Sequence, residues 1–138
     1  MPGPQGAHSV DKPIIVDTDV LVDFRRGASD ASNFCAPLVV GRVAAVHPVT
    51  LLELFDGVTN RLDVAATRRM VSALRRIPVR DADFIAAQSH FENLQPSHGV
   101  GWADCLIAST ALRLRVPVAT LNRKHFRAFQ GLSVISPY

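Results

Sequence analysis

The apolar positions of this chain switch between a strand rhythm and a helix rhythm, and the switches mark out its elements. Ile14-Ile15-Val16 is a run of β-branched residues that predicts a short strand buried on both faces. The run breaks at Asp17-Thr18-Asp19, and Val20, Leu21 and Phe24 resume at helical spacing. A helix is expected from there, with Thr18 or Asp19 as N-cap and Gly27 as terminator. A second helix is expected over residues 29–40, kinked or cut by Pro37, and residues 42–46 read as a second strand. A turn at His47-Pro48-Val49-Thr50 leads to a helix over residues 51–58, and residues 63–75 carry the amphipathic stripe Val64, Met70, Val71 and Leu74.

Residues 77–79 form a brief extended piece whose Pro78 suits a sheet edge, and Asp81 caps a helix to about Leu94. Pro96, Gly99 and Gly101 then predict a loop over residues 95–101. The most apolar helix is expected over residues 103–115, followed by a strand at 116–121, a basic helical turn at 122–129 and a last strand at Val134-Ile135. Strands alternating with helices predict one α/β domain around a mainly parallel sheet.

Composition narrows the class. A chain of 138 residues, 48% hydrophobic and 20% charged, is long enough for one real core and has no apolar run of membrane-spanning length. Residues 1–12 are rich in Gly, Pro and polar residues, lack an apolar signal core, and read as a disordered tail ahead of a domain at 13–138. Cys35 and Cys105 stand far apart without metal spacing, which points to a reduced, cytoplasmic protein. The net charge of +3 comes mainly from arginine, which pairs well with phosphate. Arg113, Arg115, Arg123, Lys124 and Arg127 cluster late in the chain, where they can either hold phosphates or solvate a surface.

The candidate chemistry is acidic. Asp17 follows the first strand, at the carboxyl edge where sites form in open parallel sheets. Glu53 falls three residues after Thr50, the spacing of a capping box, and also lies in the first turn of a helix that follows a strand. Asp104 lies in the first turn of the 103–115 helix, where the helix dipole favours negative charge. Each acid has a local structural reason. Converged, the three would repel one another unless protonated or neutralised by a cation. Oxygen ligands suit Mg²⁺ or Mn²⁺, which can activate water against a phosphodiester. No Ser-His-Asp arrangement, phosphate-binding Gly loop or zinc spacing is present in the sequence.

Four segments together resemble the PIN-domain family, and within it the VapC-type ribonuclease toxins. They are residues 15–21 (Ile-Val-Asp-Thr-Asp-Val-Leu), 49–54 (Val-Thr-Leu-Leu-Glu-Leu), 103–108 (Ala-Asp-Cys-Leu-Ile-Ala) and 118–126 (Val-Ala-Thr-Leu-Asn-Arg-Lys-His-Phe). The resemblance implies an α/β/α sandwich with Asp17, Glu53 and Asp104 at the acidic metal positions and Thr120 at the small hydroxyl position. It implies Mg²⁺ or Mn²⁺ as cofactor, RNA as substrate, a cognate antitoxin as partner and a homodimer. One departure stands out: where the family often has a fourth acid, this chain has Asn122 and His125. Asn122 can offer a carbonyl oxygen to a metal, and His125 can touch phosphate or a metal-bound water, or sit as a surface histidine beside Phe126. The missing acid leaves a second reading open, a catalytically weak PIN-like module that binds RNA or protein. A receiver-like phosphoacceptor domain fits less well, since Lys124 in a basic turn is the one lysine after the fourth strand. Trp102, beside the acids, is expected to stack on a base or to fill a core or dimer interface.

Overall fold

The apolar triplet Ile14–Val16 is β1, the central strand of a five-stranded sheet of order β3-β2-β1-β4-β5. All four strand pairs are parallel. The other strands are β2 (Ala44–Val46), β3 (Arg75–Arg76), β4 (Val118–Ala119) and β5 (Val134–Ile135). Between them run α1 (Thr18–Arg25), α2 (Ser29–Val40), α3 (Pro48–Asp56), α4 (Arg61–Ser72), α5 (Asp81–His98), α6 (Trp102–Leu114) and α7 (Arg123–Phe126). The computed structural model describes residues 12–138. The tail expected over residues 1–12 therefore lies, except for Lys12, outside the described residues.

Period-two alternation divides the core. Ile15, Ala45 and Val118 face one layer with Ile107, Ala111 and Phe126, from α6 and α7. Val16, Ala44 and Val46 face the other, with Val20, Leu21, Cys35 and Leu54. Both faces of the sheet are thus covered, and the α/β/α sandwich follows. Leu21, Leu54 and Ile107 are all but fully buried, each stabilising the fold by roughly 1.5–3 kcal/mol.

Several local expectations are corrected. The N-cap of α1 is Asp17, whose Oδ1 accepts from the Thr18 backbone N–H at 2.9 Å, and not Thr18 or Asp19. Helix α3 starts two residues before Thr50 because Pro48 is preset for the first helical position. Its cap is His47, whose Nδ1 accepts from the Val49 N–H at 3.1 Å. Thr50 is therefore inside the helix and caps nothing, and no capping box reaches Glu53. Neither Pro37 nor Pro96 ends its helix: each sits in a last turn, where the carbonyl it fails to bond belongs to an exposed residue, Asn33 or Glu92. The stretch expected as a loop at 95–101 is helical to His98, and the stop comes from Gly99 at φ 65°. Strand β3 is Arg75–Arg76; the Ile77 N–H still bonds Val46 O at 3.0 Å, and Pro78, lacking an N–H, ends the pairing. Among the described residues, no helix is long and apolar enough to cross a membrane.

Candidate active site

The chain leaves β1 toward β2 and β3 on one side and later returns to place β4 on the other, so strand order reverses between β1 and β4. In open parallel sheets, the crevice at the carboxyl ends of such a pair is where ligands bind. Asp17 directly follows β1 there, and Thr120 directly follows β4. The Asp17 N–H bonds Ala119 O at 2.9 Å, and Thr120 Oγ1 donates to Asp17 Oδ2 at 2.7 Å.

Thr120 does more than hold one carboxylate. Its Oγ1 also accepts from the Asn122 backbone N–H at 2.9 Å, which fixes the turn out of β4. The Asn122 side-chain amide lies 2.7 Å from His125 Nδ1, and that same ring nitrogen lies 3.2 Å from Asp104 Oδ2. The role of this shared nitrogen depends on the tautomer: unprotonated, Nδ1 accepts from the Asn122 amide N–H, and protonated, it donates to the Asp104 carboxylate. Asp17 and Asp104 are thereby joined through Thr120, Asn122 and His125. Across the crevice, Thr18 Oγ1 donates to Glu53 Oε1 at 2.8 Å.

The acids differ in exposure. Asp17 is 7% exposed, Asp104 is half-buried, and Glu53 and Asp19 face solvent. Burial pushes the Asp17 carboxyl up to about 6; the hydrogen bonds from Thr120 and Thr18 oppose this, and the negative charges of Asp104 and Asp19 add to it. Asp104 is likewise raised, by burial first, against the effect of His125 and with the charge of Asp19. Asp19 is the member whose place at the site sequence reasoning missed, having assigned it to helix capping. Its signal was position: in the first turn of α1, two residues past Asp17, its negative charge adds to the raised values of Asp17 and Asp104.

Oxygen donors dominate the crevice, and its most buried carboxylate has no cationic partner. Among the described residues, Arg113 pairs with Asp83 and the His125 ring lies against Asp104, and neither contact involves Asp17. A buried carboxylate left this way is a place for a hard cation. Among the described residues no group of three or more His, Cys, Asp or Glu side chains is already gathered around one point. Mg²⁺ does not require one, since it is commonly held by one or two carboxylates and keeps its remaining waters. The donor set fits such an ion. Thr50 Oγ1, buried without a hydrogen-bond partner, lies one turn before Glu53 on the same helix.

Fold and site define a class: a parallel α/β/α domain with a buried carboxylate, Asp17, at the switch point of its sheet. The sequence profile of the PIN domain matches residues 14–132, and the chain belongs to that family. Among curated proteins it is 29% identical to Ribonuclease VapC10 of Mycobacterium tuberculosis over 120 residues, covering 86% of this chain and 90% of that one. It is 25% identical to Ribonuclease VapC of Rickettsia bellii, covering 89% and 95% of the two chains. Among solved structures, a chain of the DNA-bound VapBC of Salmonella typhimurium superposes with a TM-score of 0.77 at 18% identity, covering 93% of this chain and 100% of that chain. A chain of VapBC2 of Rickettsia felis, bound to a promoter DNA fragment, superposes at 0.75 with 21% identity, covering 88% and 96%. At these identities the structural likeness speaks for the fold.

Proposed function

We propose that this PIN domain, residues 13–138, is a metal-dependent endoribonuclease, the toxin of a toxin–antitoxin pair, that hydrolyses RNA phosphodiesters. The observation that carries this reading is the buried Asp17 carboxylate, clamped by Thr120 and lacking a cationic partner among the described residues, at the switch point of the sheet. The ribonuclease names of its relatives support the choice of RNA.

Asp17 and Asp104 would hold Mg²⁺ or Mn²⁺, with Glu53 reaching it through water from the exposed rim. When bound, such an ion supplies an activated water and stabilises negative charge on the leaving oxygen. The chain's own residues set the geometry. Thr120 fixes one Asp17 oxygen and the Thr18 N–H fixes the other. His125, steadied by Asn122, orients Asp104. Thr18 keeps Glu53 turned toward α1. Hydrogen-bonded carboxylates of this kind lose little freedom on meeting a cation.

Two partners follow. An antitoxin segment bearing Arg or Lys would neutralise the acidic crevice in place of the metal, as in a cytoplasmic toxin held silent; the solved relatives include toxin–antitoxin complexes. A second copy would cover Leu52, Phe84, Ile85 and Trp102, which are 59–73% exposed and lie on α3, α5 and α6. Three of them, Leu52, Phe84 and Trp102, line one apolar depression of about 390 Å³. Exposed apolar area of this kind marks an interface.

Incubation of the purified chain with cellular RNA tests the activity. Fragments are expected with Mg²⁺ or Mn²⁺, and neither in chelator nor with Asp17→Asn. Full cleavage in chelator overturns the metal mechanism. RNA binding without cleavage in any condition returns the binding-module reading, which Asn122 and His125 in place of an acid would then explain.

A further inference from the structure

Of the five cations that cluster late in the sequence, the fold sends two away from the acids. Arg113 is committed to Asp83 through Nε at 2.6 Å and a terminal nitrogen at 2.9 Å, and that nitrogen also bonds Pro78 O at 2.9 Å. Arg115 ends α6 with φ 57° and lines a hollow with Pro117, Gly131 and Ser133. Those residues precede β4 and β5, at the amino edge of the sheet, opposite the acids.

The remaining three stay on the carboxyl edge. Leu121, Asn122, Arg123, Lys124 and Arg127 line a depression of about 440 Å³ that contains no acidic residue. Arg123 is positioned by a 2.8 Å bond to Ser136 Oγ. The side chains of Lys124 and Arg127 are exposed and pair with no described residue. Their backbone is nonetheless fixed, because Phe126 is fully buried between them and packs with Phe129 at 6.3 Å between ring centroids. The depression adjoins the acidic crevice through one residue. Asn122, one of its walls, bonds Thr120 through its backbone and His125 through its side chain.

We propose that this depression is a phosphate subsite, in which Lys124 and Arg127, with Arg123 beside them, hold an RNA phosphate next to the one being cut. The inference rests on the ribonuclease reading of the acidic crevice. The crevice repels a phosphate unless a cation intervenes, whereas the adjoining hollow attracts one outright. A single strand crossing from one to the other meets a fixed positive wall on one side of the scissile bond. Arginine and lysine contacts to the phosphate backbone hold register without reading sequence.

The test is binding of a short fluorescein-labelled single-stranded RNA, followed by anisotropy in chelator, where cleavage cannot intervene. Lys124→Ala/Arg127→Ala should bind about tenfold more weakly, and its salt dependence should flatten by about 1.4 in log–log slope, near 0.7 per lost contact. With Mg²⁺ or Mn²⁺, KM should rise by the same factor while kcat holds. Lys124→Arg should keep wild-type binding. The control Arg26→Ala/Arg68→Ala removes equal charge from exposed positions elsewhere and should bind as wild type. Equal loss in the control reduces the effect to net charge and overturns the subsite. Wild-type binding by the double variant, or no binding by the wild type, overturns the subsite alone, whereas failure of the wild type to cleave RNA with Mg²⁺ or Mn²⁺ overturns the ribonuclease reading with it. Unchanged RNA binding with release of a co-purified acidic protein assigns the cations to a protein partner and also overturns the subsite. If thermal melting shows the double variant unfolded, Lys124→Gln and Arg127→Gln singly carry the same test, each expected to lose half the slope.

Discussion

Thr18 Oγ1 donates to Glu53 Oε1 at 2.8 Å, bridging 35 residues of sequence and fastening the first turn of α1 to α3. Because Asp17 immediately precedes Thr18 and caps the same helix, this bond sets where the exposed Glu53 stands relative to the buried acid. Thr18→Ala should therefore leave Asp17 in place and loosen Glu53. The expected result is a rise of several-fold in the Mg²⁺ concentration needed for half-maximal RNA cleavage, with Thr18→Ser near wild type. An unchanged metal requirement in Thr18→Ala would show that Glu53 takes no part in holding the ion.

Thr120 should matter more. Its hydroxyl serves Asp17 and the Asn122 N–H at once, and the side chain is fully buried. Thr120→Val keeps the shape and leaves both partners unsatisfied, an effect on the order of 1–3 kcal/mol. We expect kcat/KM to fall roughly ten- to a hundredfold, while Thr120→Ser retains most activity. A Val variant as active as the wild type would remove Thr120 from the site.

How much of this was legible in the chain depends on whether neighbours in sequence or neighbours in space decide. The β1–Asp17–α1 junction needed only the apolar triplet and the acid after it, and the acid-bearing segments fell in an order that brings them to one sheet edge. The start of α3 was misread because Thr50-x-x-Glu53 matches a capping box, while His47 is an uncommon cap and Pro48 was counted as part of a turn. The Thr18–Glu53 and Thr120–Asp17 bonds were out of reach, since side-chain contacts across elements are set by strand register and packing. Asp19 had the right position but a plausible local role, and its field on Asp17 emerges only once the first turn of α1 is built.

Metal affinity in the absence of RNA should respond to the acid the chain lacks. Of the two positions at issue, 125 is the one in contact with a site carboxylate, at 3.2 Å from Asp104; Asn122 contacts His125 instead. Added negative ligand charge raises affinity for hard cations. His125→Asp should thus bind Mn²⁺ about tenfold more tightly in calorimetric titration, and Asn122→Asp should gain less. No gain in either variant means that charge at these positions does not reach the ion.

The pH dependence of stability provides a test that needs neither metal nor substrate. His47 is fully buried, accepting from the Val49 N–H and placing Nε2 3.1 Å from Thr110 Oγ1; burial holds it down to about 4, from 6.5 when unperturbed, against the pull of Asp83. Between those values the unfolded chain carries a proton that the fold refuses, so the His47 contribution is present above pH 6.5 and is lost as pH falls toward 4. Asp17 acts in the opposite sense. Its folded value of about 6 lies above the unperturbed 3.8, so its contribution is largest in acid and is lost as pH rises through 6. In chelator the two slopes, each near 1.4 kcal/mol per pH unit at most, should largely cancel between about pH 4 and 6. Asp17→Asn removes one of them: its stability should exceed wild type at neutral pH, by on the order of 2–3 kcal/mol, and fall steeply as pH is lowered. His47→Asn, which preserves a capping side chain, should show the reverse slope and become more stable toward acid. Urea unfolding of the three proteins across this range decides the matter. A neutral-pH loss of stability in Asp17→Asn would mean that the buried carboxylate is compensated in the metal-free chain, and the case for a cation at that position would go with it.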